Sequence, residues 1–209
     1  MADKKRGKLF VISGPSGAGK GTIVNSIMAA DAGSTALSIS MTTRDPREGE
    51  EHGVHYFFAT RDEFLEKIDA GGFLEYAEVY GNFYGTPREY VDEKLDAGID
   101  VILEIDIQGA LSVNTTLPEA VLIFILPPSM EVLRERLSGR GTETPEQIEL
   151  RLSKTLGEVA FVTKYDYCVV NDILDVAVDE VLSIMKAEHC RMGADIRSSV
   201  KDRFGLDVE

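Results

Sequence analysis

The chain has 209 residues, 44% of them hydrophobic and 28% charged, which fits one compact domain with an inserted subdomain better than two independent domains. Acidic residues outnumber basic ones 36 to 22, and the net charge of −14 argues against a protein that coats nucleic acid or an anionic membrane surface. Two cysteines, Cys168 and Cys190, read as reduced thiols of a cytoplasmic protein. No apolar run approaches the ~20 residues of a spanning helix, so neither export nor membrane insertion is expected.

In chain order, the apolar "KLFVIS" (8–13) predicts a buried strand, and it breaks into the glycine-rich "GPSGAGKGT" (14–22) before a helix from about Lys20 to Ala30. Between Ser40 and Gly98 glycines, tyrosines and charges crowd together around shorter strand-like pieces, "VHYFF" (54–58) and "FLEYAEVY" (73–80). Strands are predicted again at "DVILEID" (100–106), "AVLIFIL" (120–126) and "YCVV" (167–170). Helices are predicted over Glu131–Leu137, from Pro145 to about Val162 with Thr144 as N-cap, and from about Asp175 to Cys190. The residues after these, "RSSVKDRFGLDVE", read as a loosely held tail. Near-continuous apolar strands separated by helices imply an α/β fold with a mostly parallel sheet covered on both faces. Ligands of such sheets gather at the carboxyl ends of the strands.

Gly14 to Lys20 fits G-x-x-x-x-G-K and stands where that motif works, after a strand and before a helix. Its glycines let several N–H groups converge, and the helix N-terminus adds positive potential, so a polyphosphate is the natural occupant of Gly14, Pro15, Ser16, Gly17, Ala18, Gly19, Lys20, Gly21 and Thr22. A hydrolase nucleophile elbow is excluded, because G-x-S-x-G would need glycine at Ala18. Gly21 stands where the usual pattern has the Ser or Thr that ligates Mg²⁺, which puts direct hydroxyl ligation in doubt; the string "GKGT" (19–22) resembles that of the nucleoside monophosphate kinases, and this resemblance implies Mg²⁺ held mainly by ATP oxygens and water, with Thr22 near a phosphate. A second anion site is offered by "SMTTRDPREGE" (40–50), where Arg44 and Arg47 present guanidinium forks in a turn, near Tyr56 and Tyr84.

"S-x-T-T-R-x-P-R-x-G-E" (40–50), "FLEYAEVYGNFYGT" (73–86), "LEIDIQGA" (103–110), "RLSGRGTET" (136–144) and "VND" (170–172) together resemble the sequential signature of the guanylate kinases, from about residue 8 to 190. The resemblance implies a P-loop fold with a core at about 1–39, 99–135 and 164–209, an inserted mixed GMP-binding subdomain at about 40–98, and a helical lid at about 136–163. It implies that Arg44, Arg47, Tyr56 and Tyr84 hold the GMP phosphate. Ser40 and Thr86 would approach the guanine carbonyl oxygen, while Glu75 and Asp106 face N1–H and the exocyclic amine. Glu104 stands where relatives commonly carry aspartate, so its longer arm leaves its contact open. Arg136, Arg140 and Arg151 would swing over the ATP triphosphate beside Lys20, and Asn171 would lie near the adenine. The implied reaction is phosphoryl transfer from ATP to GMP, with deoxy-GMP left open and no general base required, because the attacking phosphate oxygen is already anionic. His52, His55 and His189 are expected to be surface or packing residues. The competing readings are a kinase of AMP, CMP or UMP, which the two carboxylates disfavour, and a non-catalytic peptide-binding module, which the intact loop lysine and lid arginines disfavour.

Overall fold

The computed structural model describes residues 5–30, 33–139 and 144–192, together with 197, 200, 201 and 203–205. The chain begins with β1 (Leu9–Ser13), the glycine-rich loop and α1 (Lys20–Ala30), then β2 (Thr35–Leu37). The next stretch holds β3 (Met41–Thr42), β4 (Phe57–Phe58), α2 (Arg61–Asp69), β5 (Phe73–Val79) and β6 (Asn82–Pro87). After it come α3 (Arg88–Asp96), β7 (Asp100–Glu104), α4 (Ile107–Thr116), β8 (Val121–Leu126), α5 (Met130–Ser138), α6 (Pro145–Val159), β9 (Tyr167–Val170) and α7 (Leu174–Glu188).

Five strands form a parallel sheet in the order β2-β7-β1-β8-β9. Side chains alternate across a strand, so the period of two divides each apolar run between two faces. Phe10, Ile12, Ile102, Ile123 and Ile125 pack with Ile23, Val24 and Ile27 of α1 and Val178, Val181 and Met185 of α7. Leu9, Val11, Val101, Leu103 and Leu122 pack on the opposite face with Val91 and Leu95 of α3 and Val113 of α4. Burial on both faces is why the sequence reads as solid apolar runs rather than as alternation. No helix among the described residues is long and apolar enough to cross a membrane.

The second sheet, β4-β3-β6-β5, is mixed: β3 and β4 are parallel, and β3–β6 and β5–β6 are antiparallel. It has its own small core, in which Phe64 of α2 stacks at 4.4 Å on Phe73 and at 5.3 Å on Phe83. A third cluster, Leu133, Leu137, Ile148 and Leu152, joins α5 to α6. In the β5–β6 hairpin Val79 pairs with Asn82, leaving Tyr80 and Gly81 as a two-residue turn with φ of 50° and 81°. Such a turn matches the strand twist but asks for positive φ at both positions. Tyr80 is the one non-glycine residue with positive φ among the described residues, a strain of about 1–3 kcal/mol.

Some boundaries differ from the sequence reading for local reasons. The strand expected over 100–106 ends at Glu104 because Asp106 turns away to cap α4, its Oδ1 accepting from the Gly109 N–H at 2.8 Å. "VHYFF" gives only the two residues of β4. The Val54 and His55 N–H groups bond back to Glu51, and Gly53 N–H to Tyr56, which makes a turn of the rest. The helix expected to about Val162 stops at Val159 and is followed by a 3-10 turn over Val162–Lys164, while its start is as read, with Thr144 and Gln147 forming a capping box before Pro145. The last helix runs over Leu174–Glu188, one residue earlier at its start and two shorter at its end than expected. The expected tail is described only at 197, 200, 201 and 203–205.

Candidate active site

At the carboxyl end of β1 the backbone turns through Gly14, Gly17 and Gly19 at φ of 143°, 89° and 91°. Two of these glycines are also required by space. A Cβ at Gly14 would lie 2.2 Å from the Ile125 carbonyl oxygen, and one at Gly19 would lie 2.3 Å from Asn171 Nδ2. Lys20 folds its ammonium back over the loop, donating to the Gly14 and Pro15 carbonyls at 2.7 and 3.1 Å. The Ala18 N–H bonds to Pro15 O at 3.2 Å, which closes the turn. Gly21 and Thr22 lie in the first turn of α1, so the loop N–H groups and the helix N-terminus share one concavity.

Two arginines from the α5–α6 arm reach this loop. Arg151 donates to Ser16 Oγ at 2.7 Å, and Arg136 donates to the Asn171 carbonyl at 2.9 Å. The second terminal nitrogen of Arg136, Nη1, is buried with no hydrogen-bond partner among the described residues, an arrangement that costs free energy unless an acceptor arrives. Arg140, expected alongside them, lies outside the described residues. Asn171 is buried at the end of β9, and its amide donates to the Ala18 carbonyl at 2.8 Å. Its side chain therefore pins the phosphate loop and its backbone anchors Arg136.

The second cluster lies on the mixed sheet and the end of β7. Arg44 Nη2 donates to both carboxylate oxygens of Glu50 at 2.9 Å, Nη1 donates to the Asp45 carbonyl at 2.6 Å, and the guanidinium sits 5.5 Å from the Tyr56 ring. That pairing holds the guanidinium pKa above its usual value, with the Glu50 hydrogen bond the main cause and Tyr84 a smaller one. Glu50 is held below the usual carboxylate range, first by the Arg47 N–H and then by Arg44. The Arg47 residue is exposed in the same turn, and the Tyr56 and Tyr84 rings meet edge-on at 6.2 Å. Ser40, Tyr56, Thr86 and Glu104 line one cavity of about 160 Å³.

Beside it, the fully buried Thr86 donates to Glu75 Oε1 at 2.7 Å. Burial pushes the Glu75 carboxyl pKa up; the Thr86 hydrogen bond opposes this and the nearby Asp106 carboxylate adds to it. Both carboxylates crowd the first turn of α4, where a Cβ at Gly109 would come within 3.2 Å of Glu75 Oε2 and 3.4 Å of Asp106 Oδ1. Asp106 thus has one oxygen committed to capping, and its charge acts on Glu75. Glu104 connects the two clusters: it lines the 160 Å³ cavity, yet its carboxylate stands 3.4 Å from where a Gly21 Cβ would be. Its surroundings raise its pKa by desolvation, and the Lys20 charge partly offsets this.

A phosphate loop with two converging arginines, facing a second basic cluster that adjoins a carboxylate–hydroxyl pair, matches what the comparisons with known proteins return. The family model described as guanylate kinase matches residues 6–188. The chain belongs to the guanylate kinase family. It is 55% identical over 188 residues to a guanylate kinase of Clostridium acetobutylicum, covering 90% of this chain and 89% of that one. It is 52% identical over 205 residues to the guanylate kinase of Clostridium tetani, covering 98% and 95%. The crystal structure of guanylate kinase from Anaplasma phagocytophilum superposes with a TM-score of 0.73 at 34% identity, over 98% of this chain and 99% of that one.

Within this guanylate kinase framework, sequence reasoning missed two residues of the site. Glu50 stood in the quoted motif but was not read as the clamp on Arg44; its signal was an acidic residue six positions on in the same turn. Ser38 lines the 160 Å³ cavity with its buried Oγ lacking a hydrogen-bond partner among the described residues, and nothing in a lone serine before the motif marks it out. The three histidines fall as expected. His52 and His55 accept backbone N–H groups of their own loop, and His189 pairs with Asp100 at 2.7 Å on the opposite end of the sheet.

Proposed function

We propose that the chain transfers the γ-phosphoryl group of ATP to GMP, giving ADP and GDP, and that the two clusters are the two nucleotide sites. The reading is supported above all by Glu104, which stands against Gly21 of the phosphate loop and also lines a hydroxyl-bearing cavity shared with Tyr56, the ring beside which Arg44 sits. The loop amides and Lys20 bind the ATP phosphates. Arg44 and Arg47, with the Tyr56 and Tyr84 hydroxyls, hold the GMP phosphate so that one of its oxygens lies in line with the γ-phosphorus. That oxygen is ionised at neutral pH, since a phosphate monoester loses its second proton near pH ~6. No side chain has to remove a proton.

Catalysis then consists of alignment and of positive charge where negative charge spreads in the transition state. Lys20 and Arg151 supply it, and the unpartnered Nη1 of Arg136 is a donor awaiting an anion; Arg140 is proposed for the same role. Asn171 serves the ATP side by fixing the loop, and its place near the adenine remains part of the proposal. On the GMP side Glu75 accepts from guanine N1–H and Asp106 from the exocyclic amine. Ser40 donates its hydroxyl to the carbonyl oxygen, and Thr86 joins it by rotating away the proton that it otherwise gives to Glu75. AMP would set an acceptor nitrogen against Glu75, and leaving such buried groups unpaired is what makes discrimination large.

Mg²⁺ fits this chain as a companion of ATP rather than as a resident ion. No group of three or more His, Cys, Asp or Glu residues able to hold a metal occurs among the described residues, and Gly21 offers no hydroxyl. Glu104, beside Gly21 and within the field of Lys20, is the carboxylate that would hold the ion through its waters, with Thr22 one residue on. Bound with ATP, the ion neutralises phosphate charge.

The test is ADP release with ATP and each of GMP, AMP, CMP and UMP. GMP is expected to exceed the other three by about 100-fold or more in kcat/KM. Comparable turnover of AMP would remove the guanine reading.

A further inference from the structure

Tyr80 is placed where neither folding nor the nucleotide contacts explain it. It occupies the first position of the β5–β6 turn at φ 50°, where asparagine or glycine would sit without strain. Its side chain is 101% exposed, so the ring contributes no packing to the hairpin. Backbone strain retained without a packing return is most often found where a site uses it.

The ring does face something. Tyr80 lines an open cavity of about 550 Å³ with Ser16 of the phosphate loop and Gln147, Leu150, Arg151, Lys154 and Glu158 of α6. Leu150, which lines the same cavity, is 56% exposed, so an aromatic ring and an aliphatic side chain border one cavity together with Ser16 and Arg151. The hairpin that carries Tyr80 also carries Glu75 and Tyr84. A movement of the hairpin tip toward α6 would therefore bring the guanine-reading strand and the phosphate loop together in one step.

We propose that Tyr80 is the positioning residue by which the GMP side closes on the ATP side: with both nucleotides bound, its ring packs on Leu150 and the aliphatic stem of Lys154 and seals the cavity over Ser16 and Arg151. This rests on the two-nucleotide reading and extends it to a residue outside both sites. Sealing matters because water is the competing acceptor. Attack of water at the γ-phosphorus breaks the same P–O bond to ADP but gives inorganic phosphate in place of GDP, so leakage appears as ADP formed in excess of GDP.

Three variants test it: Tyr80→Gly and Tyr80→Asn, which suit the turn but remove the ring, and Tyr80→Phe, which keeps it. Tyr80→Gly and Tyr80→Asn are expected to melt at or above the wild-type temperature, because the strain is relieved. Both should lose roughly tenfold in kcat/KM for GMP, the scale of one aromatic contact, and raise the ADP:GDP ratio above one, while Tyr80→Phe stays near wild type on both measures. Wild-type kcat/KM and an ADP:GDP ratio of one in Tyr80→Gly would overturn the proposal while leaving the GMP reading intact. A Tyr80→Phe that falls as far as Tyr80→Gly would overturn the packing contact. A wild-type protein that forms no GDP at all would overturn both.

Discussion

At the scale of single residues, the carboxylate of Glu75 shows how a site built for a ligand weakens the fold that carries it. Burial raises its pKa, and Thr86 offsets only part of that cost. A carboxyl with a raised folded-state pKa binds more protons folded than unfolded between the two values, so its contribution to stability falls as pH climbs through that window and stays lost above it. Glu75→Gln removes the titration. The variant is therefore expected to melt higher than wild type near neutral pH and to converge with it once the pH drops below the usual carboxylate range. Glu104 shifts in the same direction but is common to both proteins, so the difference between their melting curves isolates Glu75. In the same variant the charged acceptor proposed for guanine N1–H is gone, and KM for GMP should rise about 10- to 100-fold while KM for ATP holds. Equal losses for both substrates, or a melting difference that grows toward acid, would contradict the assignment.

At the scale of elements, the phosphate loop is held by its neighbours as much as by its own glycines. Asn171, at the end of β9, donates to Ala18 and gives its carbonyl to Arg136, and the missing side chain of Gly19 is what lets its amide in. Asn171→Ala leaves the Ala18 carbonyl without its side-chain donor and should cost about 1–3 kcal/mol of stability, measured by denaturant unfolding. It should also weaken binding of an ATP analogue by calorimetry while leaving GMP affinity near wild type. Gly19→Ala meets a harder limit, since φ of 91° strains any side chain even after Asn171 is trimmed, so Gly19→Ala/Asn171→Ala should not recover ATP binding. The sequence made the loop, the strands β1, β7, β8 and β9 and the helices α1, α5, α6 and α7 legible because each is a strong apolar or capped pattern. It left α2, α3 and α4 unread: α2 and α3 bury only Phe64 and Val91 with Leu95 among charged residues, α4 buries a glycine and an alanine beside Ile107 and Val113, and the Thr60–Glu63 capping box of α2 was the one available signal. The motifs located Arg44, Glu75 and Asp106, but the Glu50 clamp on Arg44 and the packing of Glu75 against the first turn of α4 at Gly109 depend on how the chain folds back on itself, and the sequence offers them only as an acidic residue in the same turn and a capping position.

At the scale of the whole molecule, net charge of −14 and two bound polyanions would be incompatible without local islands of guanidinium and amide. Those islands sit on separate hydrophobic clusters. The parallel sheet carries the loop, the Phe64–Phe73–Phe83 stack supports the strands that bear Glu75, Tyr84 and Thr86, and Leu133, Leu137, Ile148 and Leu152 join the helices that bear Arg136 and Arg151. Packing of this kind makes damage local, because a cavity in one small core removes few contacts from another. Phe64, fully buried between two stacked rings, is the place to test it. Phe64→Ala should cost about 3–5 kcal/mol, more than a cluster of three phenylalanines can lose and remain ordered at ordinary temperature. GMP binding is then expected to vanish, and amide exchange to accelerate across residues 57–87, while an ATP analogue still binds the loop and the parallel sheet keeps its slow-exchanging amides. If ATP affinity and core exchange collapse together with the GMP site, the clusters form a single cooperative unit and the inserted segment at about 40–98 is not a separable subdomain.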